Sequence, residues 1–209
     1  MQSELTKLES RAMDWKIMGN HKDHNLRAAE IQNAIMWNTL VEPNHPLLKT
    51  KLEPFDFDNP PIDPEMLFAN MSQMMLEHKG VGLSANQVGL PYRMFVMGNE
   101  ENLIPVFNPR IVDYDGEEYY AEEGCLTYPG LYVKIKRYNV IRARYTTHQG
   151  VTDTIKFSGM TSRIFQHEYD HLEGIDYRKR ATRYHLDRAK KAQKKLNRIK
   201  KRIDKKGVK

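Results

Sequence analysis

The stretch FQHEYDHLEGIDY, Phe165 to Tyr177, places His167 and His171 four residues apart with Glu168 directly after the first. On a helix, residues four apart lie one turn above each other on one face, so both imidazoles can reach a single ion while Glu168 flanks it as a base. The plainer alternative is a helix with three polar surface residues, and a third ligand is what separates the two readings. The metalloprotease pattern H-E-x-x-H-x-x-G-x-x-H is followed as far as Gly174 and fails at Tyr177, while Glu173 lies only two residues beyond His171, awkward for the same ion. Upstream stands Cys125, the only cysteine, in EEGCLTYPG. A lone cysteine is usually a small buried apolar residue. Beside an H-E-x-x-H without a third histidine it reads instead as a soft thiolate ligand for zinc or ferrous iron, and two His with one Cys leave a fourth position open for water.

A second segment, HKGVGLSANQVGLP, offers three glycines and the amide of Gln87. Glycines let backbone N–H groups approach a ligand, and a glutamine can donate to an oxyanion. The plainer reading is a helix C-cap at Gly80 followed by a strand.

Taken in order, Gly80-Val81-Gly82-Leu83-Ser84-Ala85-Asn86-Gln87, Glu123-Gly124-Cys125-Leu126-Thr127 and His167-Glu168-Tyr169-Asp170-His171 resemble the three motifs of peptide deformylases. These are metal enzymes that remove the formyl group from N-terminal formylmethionine. The likeness spans Val41 to Tyr177 and opens on EPNHPLL. Ser84 stands where the family commonly has Ala, Thr127 where it commonly has Ser, and Tyr132 where many members have Arg. The first two keep a small side chain.

The resemblance implies Cys125, His167 and His171 as ligands of one divalent metal, Fe2+ in the cell with Zn2+ or Ni2+ as alternatives. It implies Glu168 as acid and base, and Gln87 with the backbone N–H of Leu126 as oxyanion donors. By motif position Val81, Met160 and Ile164 line an apolar pocket for the methionine side chain, Gly82 offers a backbone contact, and Tyr132 falls among the substrate contacts. Asp170 reads as a carboxylate partner for a ligating His, since such residues usually donate their other N–H to a carboxylate or carbonyl. Two other functions stay open: a zinc metalloprotease using the same His167, Glu168 and His171, and an RNA-binding protein whose core has lost activity.

The elements that must position these groups read as α+β: antiparallel or mixed sheets around a central metal-bearing helix, with N-terminal and basic C-terminal helical extensions. A helix is expected over Glu65 to Lys79, entered through Pro64, after an extended Asp- and Pro-rich loop from Pro54. From Tyr92 to Phe157 come short β-type runs, RMFVM, LIPVFNP, RIVDY, LYVKIKRYNVIRARY and VTDTIKF, whose alternation argues half-buried antiparallel strands. Cys125 falls between two of them, and a helix from about Gly159 to Leu172 carries the histidines. Residues 1–40 form an extension in which Leu26, Ala29, Ile31, Ala34, Ile35 and Trp37 have partly helical spacing, residues 41–177 the catalytic domain, and residues 178–209 the tail.

At 209 residues the chain is long enough for one core. Its charge is uneven: residues 178–209 carry +14 and the rest −8, within a net +6. In the tail, Leu186, Ala189, Ala192, Leu196, Ile199 and Ile203 draw a narrow apolar seam along an otherwise basic helix. That seam could lie on the acidic body, or the tail could meet RNA; the resemblance implies docking at the ribosome. One cysteine excludes an internal disulfide, no apolar run approaches the roughly 18 residues of a membrane span, and the N-terminus is too acidic for a transit peptide. A cytoplasmic protein that binds N-formylmethionyl peptides and no membrane is expected.

Overall fold

Residues 39–206 are described in a computed structural model, with side chains to Ile203. The helix expected before Leu40 therefore lies outside the described residues, apart from its last two positions.

Helix α1, Pro64–Glu77, starts where the sequence says it should: Asp63 accepts the Met66 N–H and Pro64 fills the first turn. Its exit differs from the expected Gly80 cap. Lys79 takes the left-handed conformation, φ 56°, while Gly80 is needed for a different reason, since a Cβ there would come within 2.9 Å of Leu126 Cδ1. The strands β1 (Gly82–Ser84), β2 (Met94–Asn99), β3 (Asn102–Glu123), β4 (Val133–Thr146) and β5 (Thr152–Ser158) form one antiparallel sheet in chain order.

The runs LIPVFNP and RIVDY are parts of the 22-residue β3. Its pairing with β4 shifts register between Phe107 and Arg110, between Ile111 and Asp113, and between Asp115 and Glu118. Each bulge resets which face a residue occupies, so the alternation that marks a strand breaks although the strand continues. At the first shift Asn108 turns to φ 48° and clamps the loop before α1, accepting the Phe55 N–H and donating to the Phe55 carbonyl.

Helix α2, Gly159–Leu172, has the expected bounds and buries nine of its fourteen residues. Phe165 and Leu172 pack with Phe95, Val106, Ile141, Ala143 and Phe157 of the sheet, so burial of an apolar face holds the histidine helix against the strands.

Charge fixes its rotation. Glu123, the last residue of β3, is buried and accepts hydrogen bonds from Arg137 of β4 through Nε and Nη2, both at 2.9 Å, and from Arg163 of α2 at 2.7 Å. Arg137 reaches on to Asp170, which also accepts from Arg180 beyond the helix. Burial alone would raise the Glu123 carboxyl; His167 and Arg137 hold it down to about 2.

Helix α3, Arg183–Lys206, docks through its first turns only. Ala189 is buried with Leu131, Val133, Ile135 and Tyr177, and Gln193 donates to the Pro129 carbonyl at 3.0 Å. Leu196, Ile199 and Ile203 are 59%, 42% and 64% exposed, so the apolar seam outruns the surface it packs on.

Removing the Glu123 charge leaves the buried Arg163 without a carboxylate and the buried Arg137 with Asp170 alone. Glu123→Gln should cost roughly 3–5 kcal/mol in urea unfolding. Because the folded carboxyl titrates near 2 and the ordinary value is 4.5, its contribution is complete above pH about 4.5 and is lost as pH falls toward 2. Wild type should lose more stability than Glu123→Gln across that window, and parallel curves would contradict the assignment.

Candidate metal centre

Cys125 sits in the turn that follows β3, and His167 and His171 lie one helical turn apart on α2. Their ligand atoms all fall within 4.8 Å of one another, and all three residues are buried. The Cys125 Sγ is 3.3 Å from His171 Nε2. A tetrahedral ion with metal–sulfur about 2.3 Å and metal–nitrogen about 2.0–2.1 Å sets a sulfur–nitrogen separation of about 3.5 Å. The group is thus sized for a metal ion, and one thiolate with two imidazoles is the chemistry of a three-ligand catalytic site.

The electrostatics favour the ligating forms of the sulfur. Burial would raise the Cys125 thiol, but the charge of His171 and hydrogen bonding to both histidines hold it well below its usual range. Glu123 Oε2 lies 3.0 Å from His167 Nδ1, which leaves Nε2 of that ring for the site. This corrects the expectation for Asp170: the carboxylate behind His167 is Glu123, and Asp170 is spent on Arg137 and Arg180. Tyr177, at the position where the protease pattern wants a third histidine, donates to the Leu131 carbonyl at 2.8 Å and lays its ring 5.3 Å from that of His167.

Glu168 is buried beside the ligands. Its Oε2 accepts from the Ser84 hydroxyl at 2.6 Å, and its other oxygen lies so near Gly82 that a Cβ there would stand 2.4 Å away. Burial raises its pKa, and both histidines and the Ser84 hydroxyl pull against that without cancelling it. Gln87 is oriented by its carbonyl, which accepts the Ser84 N–H at 2.9 Å. Its Nε2 therefore turns inward, donating to Thr127 Oγ1 at 3.0 Å and lying 3.5 Å from the Cys125 sulfur. The Leu126 N–H has no acceptor among the described residues.

Gln87, Glu123, Cys125, Leu126, His167 and Glu168 line one cavity of about 680 Å³. Val81, Gly82, Tyr132, Met160 and Ile164 line it as well. Val81, Tyr132 and Met160 are 56%, 62% and 62% exposed and form its rim, and Ile164 is half-buried deeper in. The Tyr132 ring lies over Gly124, where a Cβ would meet it at 2.8 Å.

Sequence reasoning did not anticipate that Ser84 and Thr127 would each hydrogen-bond the acid or amide beside them, nor that Asn86 would tie the His171 carbonyl to the first motif at 2.7 Å. No local signal marked the first two, because each bond joins two motifs: Ser84 of the first meets Glu168 of the third, and Thr127 of the second meets Gln87 of the first.

A family model described as polypeptide deformylase matches residues 37–187. A peptide deformylase of Thermotoga petrophila is 38% identical over 131 residues, covering 62% of this chain and 78% of that one. The crystal structure of the peptide deformylase from Thermus thermophilus superposes with a TM-score of 0.68 at 32% identity, covering 78% of this chain and 97% of that one. A Met-Ala-Ser-bound class I type b peptide deformylase from Acinetobacter baumannii aligns with a TM-score of 0.63 at 29% identity over 68% of this chain and 96% of that one. With a Cys125, His167 and His171 group that can hold the metal these enzymes depend on, the chain belongs to the polypeptide deformylase family, the hydrolases that remove the N-formyl group from nascent peptides.

Proposed function

We propose that Cys125, His167 and His171 hold one divalent metal, Fe2+ in the cell with Zn2+ or Ni2+ as substitutes, and that Glu168, Gln87 and Leu126 carry out deformylation around it. The observation behind this reading is the convergence of three ligand atoms within 4.8 Å beside a buried carboxylate, beneath an open cavity. When bound, the ion acts as a Lewis acid and brings the pKa of its water from 15.7 to about 7, so that a nucleophile is available at neutral pH.

The protein's own groups supply the rest. Glu168 takes the water proton as the formyl carbon is attacked and delivers it to the amide nitrogen as the C–N bond breaks, releasing formate and a free amine. Gln87 Nε2 and the Leu126 N–H donate to the carbonyl oxygen as it gains charge. To do so the Gln87 amide must share or release Thr127, while the Ser84 N–H keeps it facing inward.

Val81, Met160 and Ile164 form the apolar wall for the methionine side chain, Gly82 offers backbone to the peptide, and Tyr132 meets residues further along it. The peptide seen in the Acinetobacter enzyme, which begins with methionine, supports this use of the cavity.

The tail is assigned to the ribosome. Its exposed distal turns carry Lys194, Lys195, Arg198, Lys200, Lys201 and Arg202, a density of charge suited to RNA phosphates. The site of action is then the cytoplasm, where formylated chains emerge. Among the described residues no helix is long and apolar enough to cross a membrane.

Formate release from a formyl-Met peptide tests the chemistry. Glu168→Gln should keep its metal and lose most of its kcat, Gln87→Ala should lose about 10² to 10³ in kcat, and Cys125→Ala should lose the metal. Wild-type turnover in Glu168→Gln would refute the assignment, and cleavage of an internal, unformylated peptide would favour the protease reading. For the tail, the full chain should co-sediment with ribosomes at low salt and detach as salt rises, while a chain ending at Lys194, which keeps the docked turns, should stay in the supernatant. Equal binding by both would remove the tail as the anchor.

A further inference from the structure

Glu168 has a polar neighbour whose position relative to it is tightly defined. Ser84 is fully buried, and its hydroxyl has two acceptors in range, both belonging to Glu168: the carboxylate Oε2 at 2.6 Å and the backbone carbonyl at 3.2 Å. The other Glu168 carboxyl oxygen lies close to Gly82, where a Cβ would stand 2.4 Å away. The Ser84 N–H is engaged separately, on the Gln87 carbonyl. Thus one residue holds the acid–base group through its side chain and the amide donor through its backbone.

Resting on the reading of Glu168 above, we propose that the Ser84 hydroxyl is a positioning residue for deformylation, fixing the Glu168 carboxyl through the whole proton cycle. While Glu168 is a carboxylate, Ser84 donates to Oε2. Once the carboxyl has taken a proton, the hydroxyl accepts from it and turns its own hydrogen to the Glu168 carbonyl. No proton is gained or lost by Ser84 in the exchange. A buried acid that changes from acceptor to donor normally loses its partner at that moment. A hydroxyl with a second acceptor 3.2 Å away can answer both states without a rotation of the carboxyl.

Three metal-loaded variants test this: Ser84→Ala, Glu168→Asp and the double substitution. Ser84→Ala removes one oxygen and leaves the backbone bond to Gln87 in place. Its kcat for formate release should fall about tenfold, the scale of one hydrogen bond to a charged group, with KM and metal content unchanged. The Glu168→Asp carboxyl is one methylene too short to meet Ser84, so adding Ser84→Ala there should change kcat less than twofold. Melting temperature gives a readout independent of turnover: the drop caused by Ser84→Ala should be smaller in the Glu168→Asp background.

Unchanged kcat in Ser84→Ala, or the same fold-loss in both backgrounds, would overturn the role. If that happens while Glu168→Gln is inactive, only the positioning role fails. Full activity in Glu168→Gln would overturn both it and the reading on which it rests.

Discussion

Two guanidinium groups and an imidazole converge on the buried carboxylate of Glu123: Arg137 from β4, and Arg163 and His167 from α2. Burying such a charge costs several kcal/mol unless its lone pairs are filled, and here both oxygens are. The same contacts lock the end of β3 to β4 and set the rotation of α2 against the sheet. They also hold Nδ1 of His167, so that Nε2 is the nitrogen left for the metal. Glu123 lies two residues before Cys125, which makes the chain that positions one imidazole also deliver the sulfur. The hydrophobic contacts of Phe165 and Leu172 hold α2 on the sheet, but apolar packing does not specify a ring nitrogen. The ionic hub does.

Around the ligands the polar groups are paired rather than isolated. Ser84 meets Glu168 and Gln87, Thr127 meets Gln87, and Asn86 holds the carbonyl of His171. Among buried side chains such as these each bond is stronger than in water and each unpaired group is more costly. A network of this kind fixes the direction in which the Glu168 carboxyl and the Gln87 amide face the cavity, the preorganisation that the proposed acid–base and donor roles require.

Much of this was legible because it follows from local spacing. The i, i+4 histidines, the bounds of α2 and the entry of α1 through Pro64 depend on residues close in sequence. What escaped depends on register. Asp170 is next to a ligand in sequence and was the natural carboxylate for it, yet the pairing of β3 with β4 brings Glu123 to His167 and leaves Asp170 to the arginines. The continuity of β3 was hidden by three bulges. Lys79 rather than Gly80 carries the left-handed turn, and what requires glycine at 80 is the side chain of Leu126, remote in sequence, which claims the space over it. The apolar seam of the tail was visible as a period, but where its support ends is a property of the body's surface.

X-ray absorption at the zinc edge of the zinc-loaded full chain tests the central proposal, a single ion shared by one sulfur and two imidazoles. The expected first shell contains one sulfur at about 2.3 Å and two nitrogens at about 2.0–2.1 Å, with the remaining position held by a light atom. A shell of nitrogen and oxygen alone would contradict the site built from Cys125, His167 and His171.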